Sequence, residues 1–380
     1  MAAGMRFVSR MLAAAAVLGC LSLPSGPAAQ TGPAPVLRHA LTVDTPALDH
    51  TYLPGTAWEW QWDAARVGEV PDTVLRAAAR VKIAVIDSGA DLSAPDVADK
   101  APETWSVLSR SRRVTDVVGH GTFVASIAAG SVENGVGMAG FGGDARLLVI
   151  QALDPNGYIT DVDEAAAIVY AVKHGAKIIN LSIGGSQTSS IERHAIRYAA
   201  RHGVLLVAAA GNEHKNGNEP QYPAALLQPL GSRGRGGLGL AVGATTMSGT
   251  RASFSNTGTY LSLSAPGENV FGAESAASNW PHAQTSWSSP GYYGWASGTS
   301  FAAPEVAGVA ALVWGANPSL TARQVADVLK RSASGGGWTP QLGWGRLDAA
   351  AAVRLAQSTS GAALRVARYE PRPIHSSPPS

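Results

Sequence analysis

The sequence has very little cysteine: Cys20 is the only one among 380 residues. A single thiol forms no intramolecular disulfide, so the fold must depend on an apolar core, and a hydrophobic content of 46% is enough to build one. Charged residues make up only 15% of the chain and nearly balance, at a formal net charge of +2. A near-neutral protein has no electrostatic footprint for nucleic acid or for an anionic membrane, so neither is expected as a partner.

Long hydrophobic runs are also absent, except near the start of the chain. Two arginines precede the apolar run 11–23, and Pro27-Ala28-Ala29 follows it, which is typical of a signal peptide over residues 1–29. The run is too short to cross a bilayer as a mature helix, and no other stretch predicts a transmembrane segment. We therefore expect a secreted or periplasmic protein. The alternative is a lipid anchor, in which Val17-Leu18-Gly19-Cys20 is a lipoprotein cleavage site and Cys20 becomes the modified N-terminus.

From about residue 80 the chain alternates apolar, strand-like runs with segments of helical periodicity, which predicts βαβ units on a parallel sheet. Strands are predicted at 82–87, 147–152, 177–183, 204–210 and 239–243, and helices at 120–130, 162–174, 190–202, 300–316 and 321–332. We expect an N-terminal extension over 30–75, one α/β domain over 76–357 and a disordered tail over 358–380.

Three short motifs, far apart in the chain, each carry one residue of a nucleophilic triad. They are Val85-Ile86-Asp87-Ser88-Gly89, Gly119-His120-Gly121-Thr122 and Gly298-Thr299-Ser300. A serine hydroxyl is a poor nucleophile unless a base accepts its proton and a carboxylate orients that base. Taken singly, these residues have simpler explanations as a strand end, a loop residue and a helix cap. Together they predict a triad, and the absence of a Gly-x-Ser-x-Gly elbow around Ser300 argues against the α/β-hydrolase order.

The motifs and their order Asp, His, Ser resemble those of the subtilisin-like serine proteases (subtilases, peptidase S8 family), over roughly residues 80–357. The resemblance implies the subtilisin-like fold, a three-layer α/β/α sandwich with a central, mostly parallel sheet. It also implies a serine endopeptidase that forms an acyl-enzyme and needs no cofactor for its chemistry. In that enzyme Asp87 orients His120, His120 is the base, Ser300 is the nucleophile, and Asn212 is the side-chain donor of the oxyanion hole.

The resemblance further implies that an extended polypeptide substrate binds as an added strand. Ser182-Ile183-Gly184 would form one edge, and Gly157 and Tyr158 would belong to the other. The residue of the substrate that precedes the cleaved bond is called P1. Ser182-Ile183-Gly184 would also form one wall of the pocket for P1, and Ala209-Ala210-Gly211 would form the other. The glycines predict room for a sizeable apolar P1 side chain. Glu213 either lies near the base of this pocket and tolerates a basic P1 or is a solvated turn residue.

The family's structural calcium site has two matches in this sequence. Asp96 would supply a carboxylate, and the turn Asn134-Gly135-Val136-Gly137 would supply an amide and carbonyl oxygens, which are the ligands that calcium prefers. The alternative is an ordinary Asx turn.

The sequence departs from the family's pattern at three positions near the site and in two insertions. Phe123, Phe301 and Glu305 replace the usual His, Met and His, and we expect altered packing without altered chemistry. The insertions are 228–239 and 273–295, and the second contains five aromatic rings directly before the nucleophile. Such loops often set specificity, although the rings would also serve simply to pack the insertion against the domain.

Two other functions remain open from the sequence. A catalytically silent relative would act as a binding or scaffold protein, but the presence of all three triad residues and Asn212 argues against it. A processing protease with one dedicated partner would differ only in the breadth of its cleavage. A monomer that acts on extended polypeptides is the expectation.

Overall fold

The computed structural model describes residues 59–132, 137–278 and 293–359, together with the backbone of 9–11 and 283–284. The rest of the predicted signal peptide, the extension up to residue 58 and the tail from residue 360 lie outside these residues.

A seven-stranded sheet forms the centre of the described domain. Its strands, in spatial order, are β3 (Glu103–Ser106), β4 (Arg146–Gln151), β2 (Lys82–Asp87), β6 (Ile178–Leu181), β7 (Leu205–Ala209), β8 (Gly239–Thr245) and β9 (Leu263–Pro266). Every neighbouring pair in this order is parallel. All strands therefore direct their carboxyl ends to one edge, which is where open α/β sheets bind ligands.

The remaining strands form two small antiparallel sheets. In one, β1 (Ser9–Met11) pairs with β5 (Tyr158–Thr160). In the other, β12 (Tyr293–Ala296) lies between β10 (Val270–Ala273) and β11 (Ala283–Gln284).

Helices cover both faces of the central sheet. They are α1 (Trp60–Ala64), α2 (Asp72–Ala77), α3 (Pro95–Ala98), α4 (His120–Ala129), α5 (Asp161–Lys173), α6 (Ser190–Arg201), α7 (Ala224–Leu227), α8 (Thr299–Ala316), α9 (Ala322–Ser332) and α10 (Ala349–Ser358), with 3₁₀ turns at Val67–Glu69, Ala78–Arg80 and His214–Asn216. The core is accordingly split in two by the sheet. Along β2, Ile83 and Val85 join the cluster beneath α4 and α8, whereas Ala84 and Ile86 join the cluster beneath α5 and α6. The predicted three-layer α/β/α sandwich is confirmed.

Helix α8 is the longest helix of the described domain and is mostly buried. It is long and apolar enough to cross a membrane, but nine-tenths of it is buried inside the domain, as expected of a core helix. It packs against α4, and these two helices carry Ser300 and His120.

The segment before α2 is part of the same packed unit. Trp60 and Trp62 are buried, the Trp60 indole donates a hydrogen bond to the Asn269 carbonyl at 2.8 Å, and the Gln61 amide donates one to the Phe271 carbonyl at 2.8 Å. Two side-chain hydrogen bonds therefore fix α1 to β10.

Candidate active site

A buried aspartate and a buried histidine lie within hydrogen-bonding distance of each other at the carboxyl edge of the sheet. β2 ends on Asp87, and His120 is the first residue of α4. His120 Nδ1 lies 2.8 Å from Asp87 Oδ1, and the same oxygen accepts a hydrogen bond from the Ser88 amide at 2.7 Å. Both side chains are almost fully shielded from solvent, at 0% and 1% exposure. Because Nδ1 is engaged by the carboxylate, the imidazole keeps Nε2 as its basic nitrogen.

The glycines of the motifs are explained by how closely these segments approach one another. A Cβ on Gly121 would lie 2.2 Å from the Gly89 carbonyl oxygen, and a Cβ on Gly89 would lie 2.0 Å from the Thr115 carbonyl oxygen. Gly89 also has a φ of +118°, a conformation that favours glycine. A side chain on Gly121 would push α4 away from the end of β2 and separate Asp87 from His120, and one on Gly89 would displace the Thr115 backbone.

Ser300 is the second residue of α8 and lies beside the residue that follows β6. Its hydroxyl donates to the Ser182 carbonyl at 3.2 Å, and the Ser182 hydroxyl donates to the Ser300 carbonyl at 2.6 Å. The position within the first helical turn favours negative charge on the Ser300 oxygen through the helix dipole. The predicted nucleophile is thus held against Ser182, the first residue of the predicted substrate strand.

Asn212 follows β7, and its side chain is oriented by the residue before Ser300. Asn212 Oδ1 accepts hydrogen bonds from the Thr299 amide at 2.9 Å and from the Thr299 hydroxyl at 3.0 Å. A Cβ on Gly298 would lie 3.5 Å from Asn212 Nδ2, so the Asn212 amide nitrogen lies close to Gly298. Sequence reasoning did not identify Thr299 as a site residue. Its position directly before Ser300, in the motif Gly298-Thr299-Ser300, is the feature of the sequence that could have indicated this role.

A second buried carboxylate, Asp116, was also missed by sequence reasoning. Its Oδ1 accepts hydrogen bonds from the Ser88 hydroxyl and the Gly119 amide, each at 2.8 Å. Its Oδ2 accepts from the Thr122 amide at 2.7 Å and the Thr122 hydroxyl at 2.5 Å. Burial raises the pKa of Asp116, while these four donors favour the ionised form and oppose that rise. Its position four residues before His120 was the only signal in the sequence.

Two of the departures from the family contact each other. The Phe123 and Phe301 rings lie 4.8 Å apart between centroids, and Phe301 is 5.5 Å from the His120 ring. The pair forms an apolar wall on one side of the imidazole, which agrees with the expectation of altered packing.

The central sheet brings the two predicted walls of the P1 pocket together. Ser182-Ile183-Gly184 directly follows β6, and Ala209-Ala210-Gly211 ends the neighbouring β7, so the two predicted walls of the P1 pocket are adjacent. Tyr158 begins β5, directly after Gly157, whose φ is +81°.

The predicted P1 pocket is less open than its glycines suggest. A Cβ on Gly211 would lie 2.3 Å from Gln221 Cγ and 2.6 Å from Glu213 Oε2. Glu213 is half-buried, and its Oε2 accepts hydrogen bonds from the Asn212 amide at 2.7 Å and from Asn256 Nδ2 at 3.2 Å. Burial raises the pKa of this carboxyl. Glu213 is therefore not a solvated turn residue, and the room expected for a large apolar side chain is occupied by polar groups.

The predicted calcium ligands are only partly within the described residues. Asp96 is fully buried, and its Oδ2 accepts a hydrogen bond from the Met138 amide at 3.4 Å, but Asn134 lies outside the described residues. Glu59, which sequence reasoning missed, accepts a hydrogen bond from the neighbouring Ala139 amide at 3.1 Å. Burial raises the pKa of Glu59 well above its ordinary value, and the charge of Asp96 raises it further. No group of three acidic, histidine or cysteine side chains suited to a metal occurs among the described residues.

The insertions differ in how much of them is described. In 228–239, the Arg235 guanidinium lies 5.6 Å from the centre of the Trp344 ring, which holds that loop against the domain. Of the aromatic residues in 273–295, Tyr293 and Trp295 pack on Phe271 at 5.8 and 5.4 Å, whereas Trp280, Trp287 and Tyr292 lie outside the described residues. At least two of the five rings therefore serve to pack the insertion.

Comparison with known proteins gives consistent matches over this domain. The sequence profile of the subtilase family matches residues 78–345. A thermophilic serine proteinase from Bacillus sp. (strain AK1) is 34% identical over 271 residues, which is 71% of this chain and 59% of that protein. Thermitase from Thermoactinomyces vulgaris is 34% identical over 61% of this chain and 74% of its own length. Subtilisin E from Bacillus subtilis (strain 168) is 33% identical over 72% of this chain and 66% of its own length. The matched part of the chain thus spans about three fifths of the first of these relatives.

Proposed function

Because the chain belongs to the subtilase family, we propose that it is a serine endopeptidase in which Asp87, His120 and Ser300 form the catalytic triad. The observation that carries the proposal is the buried hydrogen bond of 2.8 Å between Asp87 and His120, next to the helix that begins with Thr299 and Ser300.

The proposed reaction moves one proton between Ser300 and His120 in each half. The Ser300 hydroxyl turns from the Ser182 carbonyl toward His120, and Nε2 accepts its proton as Oγ attacks the substrate carbonyl carbon. His120 then gives this proton to the leaving amine, which leaves an acyl group on Ser300. In the second half, water donates a proton to Nε2 and attacks the acyl carbon, and His120 returns the proton to Ser300. Asp87 stabilises the imidazolium in both halves and stays ionised.

The negative charge that develops on the substrate oxygen requires fixed donors. Asn212 is suited to this role because Thr299 holds its amide oxygen with two hydrogen bonds and thereby directs its nitrogen away from Thr299. Removing such a donor from a subtilisin costs about 3 kcal/mol of transition-state stabilisation, and we expect a loss of similar size in Asn212→Ala.

An extended polypeptide is the proposed substrate, bound as a strand between Ser182-Ile183-Gly184 and the edge that includes Gly157 and Tyr158. The pairing of Ser9–Met11 with Tyr158–Thr160 supports this proposal, because the edge of β5 there pairs with an antiparallel strand.

We further propose export of the protein through its N-terminal segment, with Cys20 lipidation as the alternative. Mass spectrometry of the mature N-terminus distinguishes cleavage after residue 29 from a modified Cys20.

The proposed function is tested by Ser300→Ala. We expect this variant to lose both peptide hydrolysis and covalent labelling by a fluorophosphonate probe, with its Tm close to that of the native protein. Labelling that persists in Ser300→Ala would show that another residue is the nucleophile. A native protein that folds but neither reacts with the probe nor cleaves peptides would instead be a silent relative.

A structural calcium ion near Asp96 and Asn134 also remains a proposal, and no cofactor is proposed for the chemistry. The calcium proposal is supported by the two buried carboxylates of Asp96 and Glu59. Burying two negative charges close together is unfavourable, and a divalent cation between them would balance these charges. We expect calcium chloride to raise the Tm of the native protein relative to a chelator, and we expect this difference to shrink in Asp96→Asn. An equal calcium effect in both proteins would place the ion elsewhere.

A further inference from the structure

One side chain lies between the two glycines of the predicted P1 walls. A Cβ on Gly184 would lie 3.5 Å from both Cβ and Oε1 of Gln221, and a Cβ on Gly211 would lie 2.3 Å from Gln221 Cγ. Gln221 is itself only 5% exposed. The space that two glycines would otherwise leave open is therefore filled by Gln221.

Gln221 is fixed in this position by its side chain and by the backbone beside it. Its Nε2 donates a hydrogen bond to the Glu219 carbonyl at 3.2 Å. The next residue, Tyr222, exchanges two backbone hydrogen bonds with Gly185, at 2.8 and 3.0 Å, so this segment is tied to the residue after Gly184. A large substrate side chain cannot enter unless this bonded amide is displaced.

The lining around Gln221 is polar. Asn256 Nδ2 donates hydrogen bonds to the Glu219 carbonyl at 3.0 Å and to Glu213 Oε2 at 3.2 Å. An aromatic P1 ring in this space would separate buried donors from their acceptors, which is costly when no water replaces them. A methyl or hydroxymethyl group needs no such rearrangement.

We propose that Gln221 determines P1 selectivity, by closing the pocket so that the enzyme accepts small P1 residues such as alanine or serine and rejects large aromatic ones. The inference rests on the proposed function, since a P1 residue exists only for a protein that cleaves peptides. Gln221 acts here as a specificity residue and takes no part in the chemistry.

The test uses two peptides that are identical except for alanine or phenylalanine at P1, and it measures kcat/KM for each. We expect the native enzyme to favour the alanine peptide by about tenfold or more, in the range that pocket size commonly produces. Gln221→Ala, which keeps the Cβ and removes the rest of the side chain, should shift this ratio toward phenylalanine by about tenfold or more. Gln221→Met, which is similar in length, should leave the ratio within about threefold of the native value.

A matched control is Gln228→Ala. Gln228 is also a buried glutamine, but its amide donates hydrogen bonds to the Ser232 hydroxyl and the Arg235 carbonyl, within the 228–239 insertion. The alanine-to-phenylalanine ratio should stay at the native value in this variant, which separates a local change of the pocket from a general loosening of the domain.

Two results would overturn the inference while the proposed function stands: a native enzyme that prefers the phenylalanine peptide, or an unchanged ratio in a folded Gln221→Ala variant. If Gln221→Ala does not fold, the native preference and the Gln221→Ser ratio decide the question. A native protein that cleaves neither peptide nor a denatured protein mixture, and that resists the fluorophosphonate probe, would overturn the proposed function and this inference together.

Discussion

At the residue scale, the position of His120 depends on a carboxylate that is not proposed to enter the reaction. Asp116 links the residue after Asp87 to the residue before His120, because one of its oxygens accepts from both Ser88 and Gly119. The Ser88 hydroxyl in turn accepts a hydrogen bond from the Gly121 amide at 2.8 Å. Both sides of His120 are therefore tied to the end of β2, which keeps the imidazole within hydrogen-bonding distance of Asp87.

We predict that Asp116→Asn lowers kcat about tenfold or more and changes KM little. Each Asp116 oxygen accepts two hydrogen bonds. In asparagine, an NH₂ group replaces one of these oxygens and cannot accept hydrogen bonds, so two of the four bonds are lost. Each lost bond to a charged group is worth about 1.5–3 kcal/mol. Peptide hydrolysis and the rate of fluorophosphonate labelling measure the effect. Thr122→Ser, which keeps the hydroxyl donor, is the control and should retain most of the activity. A loss of Tm in Asp116→Asn without a loss of kcat would limit Asp116 to stabilising the fold.

The contacts of Asp116 also illustrate which features of the site the sequence does not predict. The three residues of the proposed triad could be named from the sequence because each lies in a recognisable local motif. Asp116 reaches Ser88 across 28 positions of sequence, and Gln221 reaches Gly184 across a comparable distance. Such contacts are created by the topology, and no local pattern predicts them.

At the scale of elements, the buried parallel strands and the long helices agree with the sequence prediction to within a few residues. β2 was predicted at 82–87 and spans Lys82–Asp87, because continuous apolar runs are typical of strands covered on both faces. Helix α9 begins with a capping box, in which the Thr321 and Gln324 side chains accept hydrogen bonds from each other's backbone amides. β3 was missed because this edge strand is partly exposed and has no apolar run. Helix α10 was also missed, because the four consecutive alanines at its start show no helical periodicity of apolar and polar residues.

The 273–295 insertion is anchored at its start beside the residues that precede His120. The Ser275 hydroxyl donates to the Asp116 carbonyl at 2.6 Å, and the Ser278 hydroxyl donates to the Val118 carbonyl at 2.9 Å. At the other end, Tyr293 pairs with Ala273 in the small sheet. Both ends of the insertion are thus fixed to the domain close to the proposed site.

We predict that replacing residues 279–292 with a short glycine-containing turn changes selectivity among peptides by about tenfold or more and leaves the labelling of Ser300 intact. The reason is that Trp280, Trp287 and Tyr292 offer apolar surface, and burying a substrate side chain against such surface is worth roughly 1.5–3 kcal/mol. Cleavage-site profiling of the native and shortened proteins measures the change. An unchanged profile, together with a lower Tm, would mean that the insertion only packs against the domain.

At the scale of the whole molecule, the first helical turns of α8 carry both the proposed nucleophile and an unusual buried carboxyl group. Glu305 is fully buried, and neither of its carboxylate oxygens has a hydrogen-bond partner within the described part of the chain. Burial raises its pKa well above the ordinary value of 4.5, and the charge of Glu59 raises it further. Glu59 directly precedes α1, whereas Glu305 lies in α8. The two acids therefore couple the N-terminal segment electrostatically to α8.

We predict that Glu305→Gln stabilises the protein more at pH 8 than at pH 5. Above pH 4.5 the unfolded chain releases the Glu305 proton while the folded protein retains it. The free energy of unfolding therefore falls with rising pH, by about 1.4 kcal/mol per pH unit, until the folded pKa is reached. A glutamine is neutral in both states and removes this contribution, whereas Glu59 continues to contribute its own. Tm measurements of the native and variant proteins across this range test the sign. A Tm difference for Glu305→Gln that is equal at both pH values would mean that Glu305 is ionised in the folded protein at pH 5.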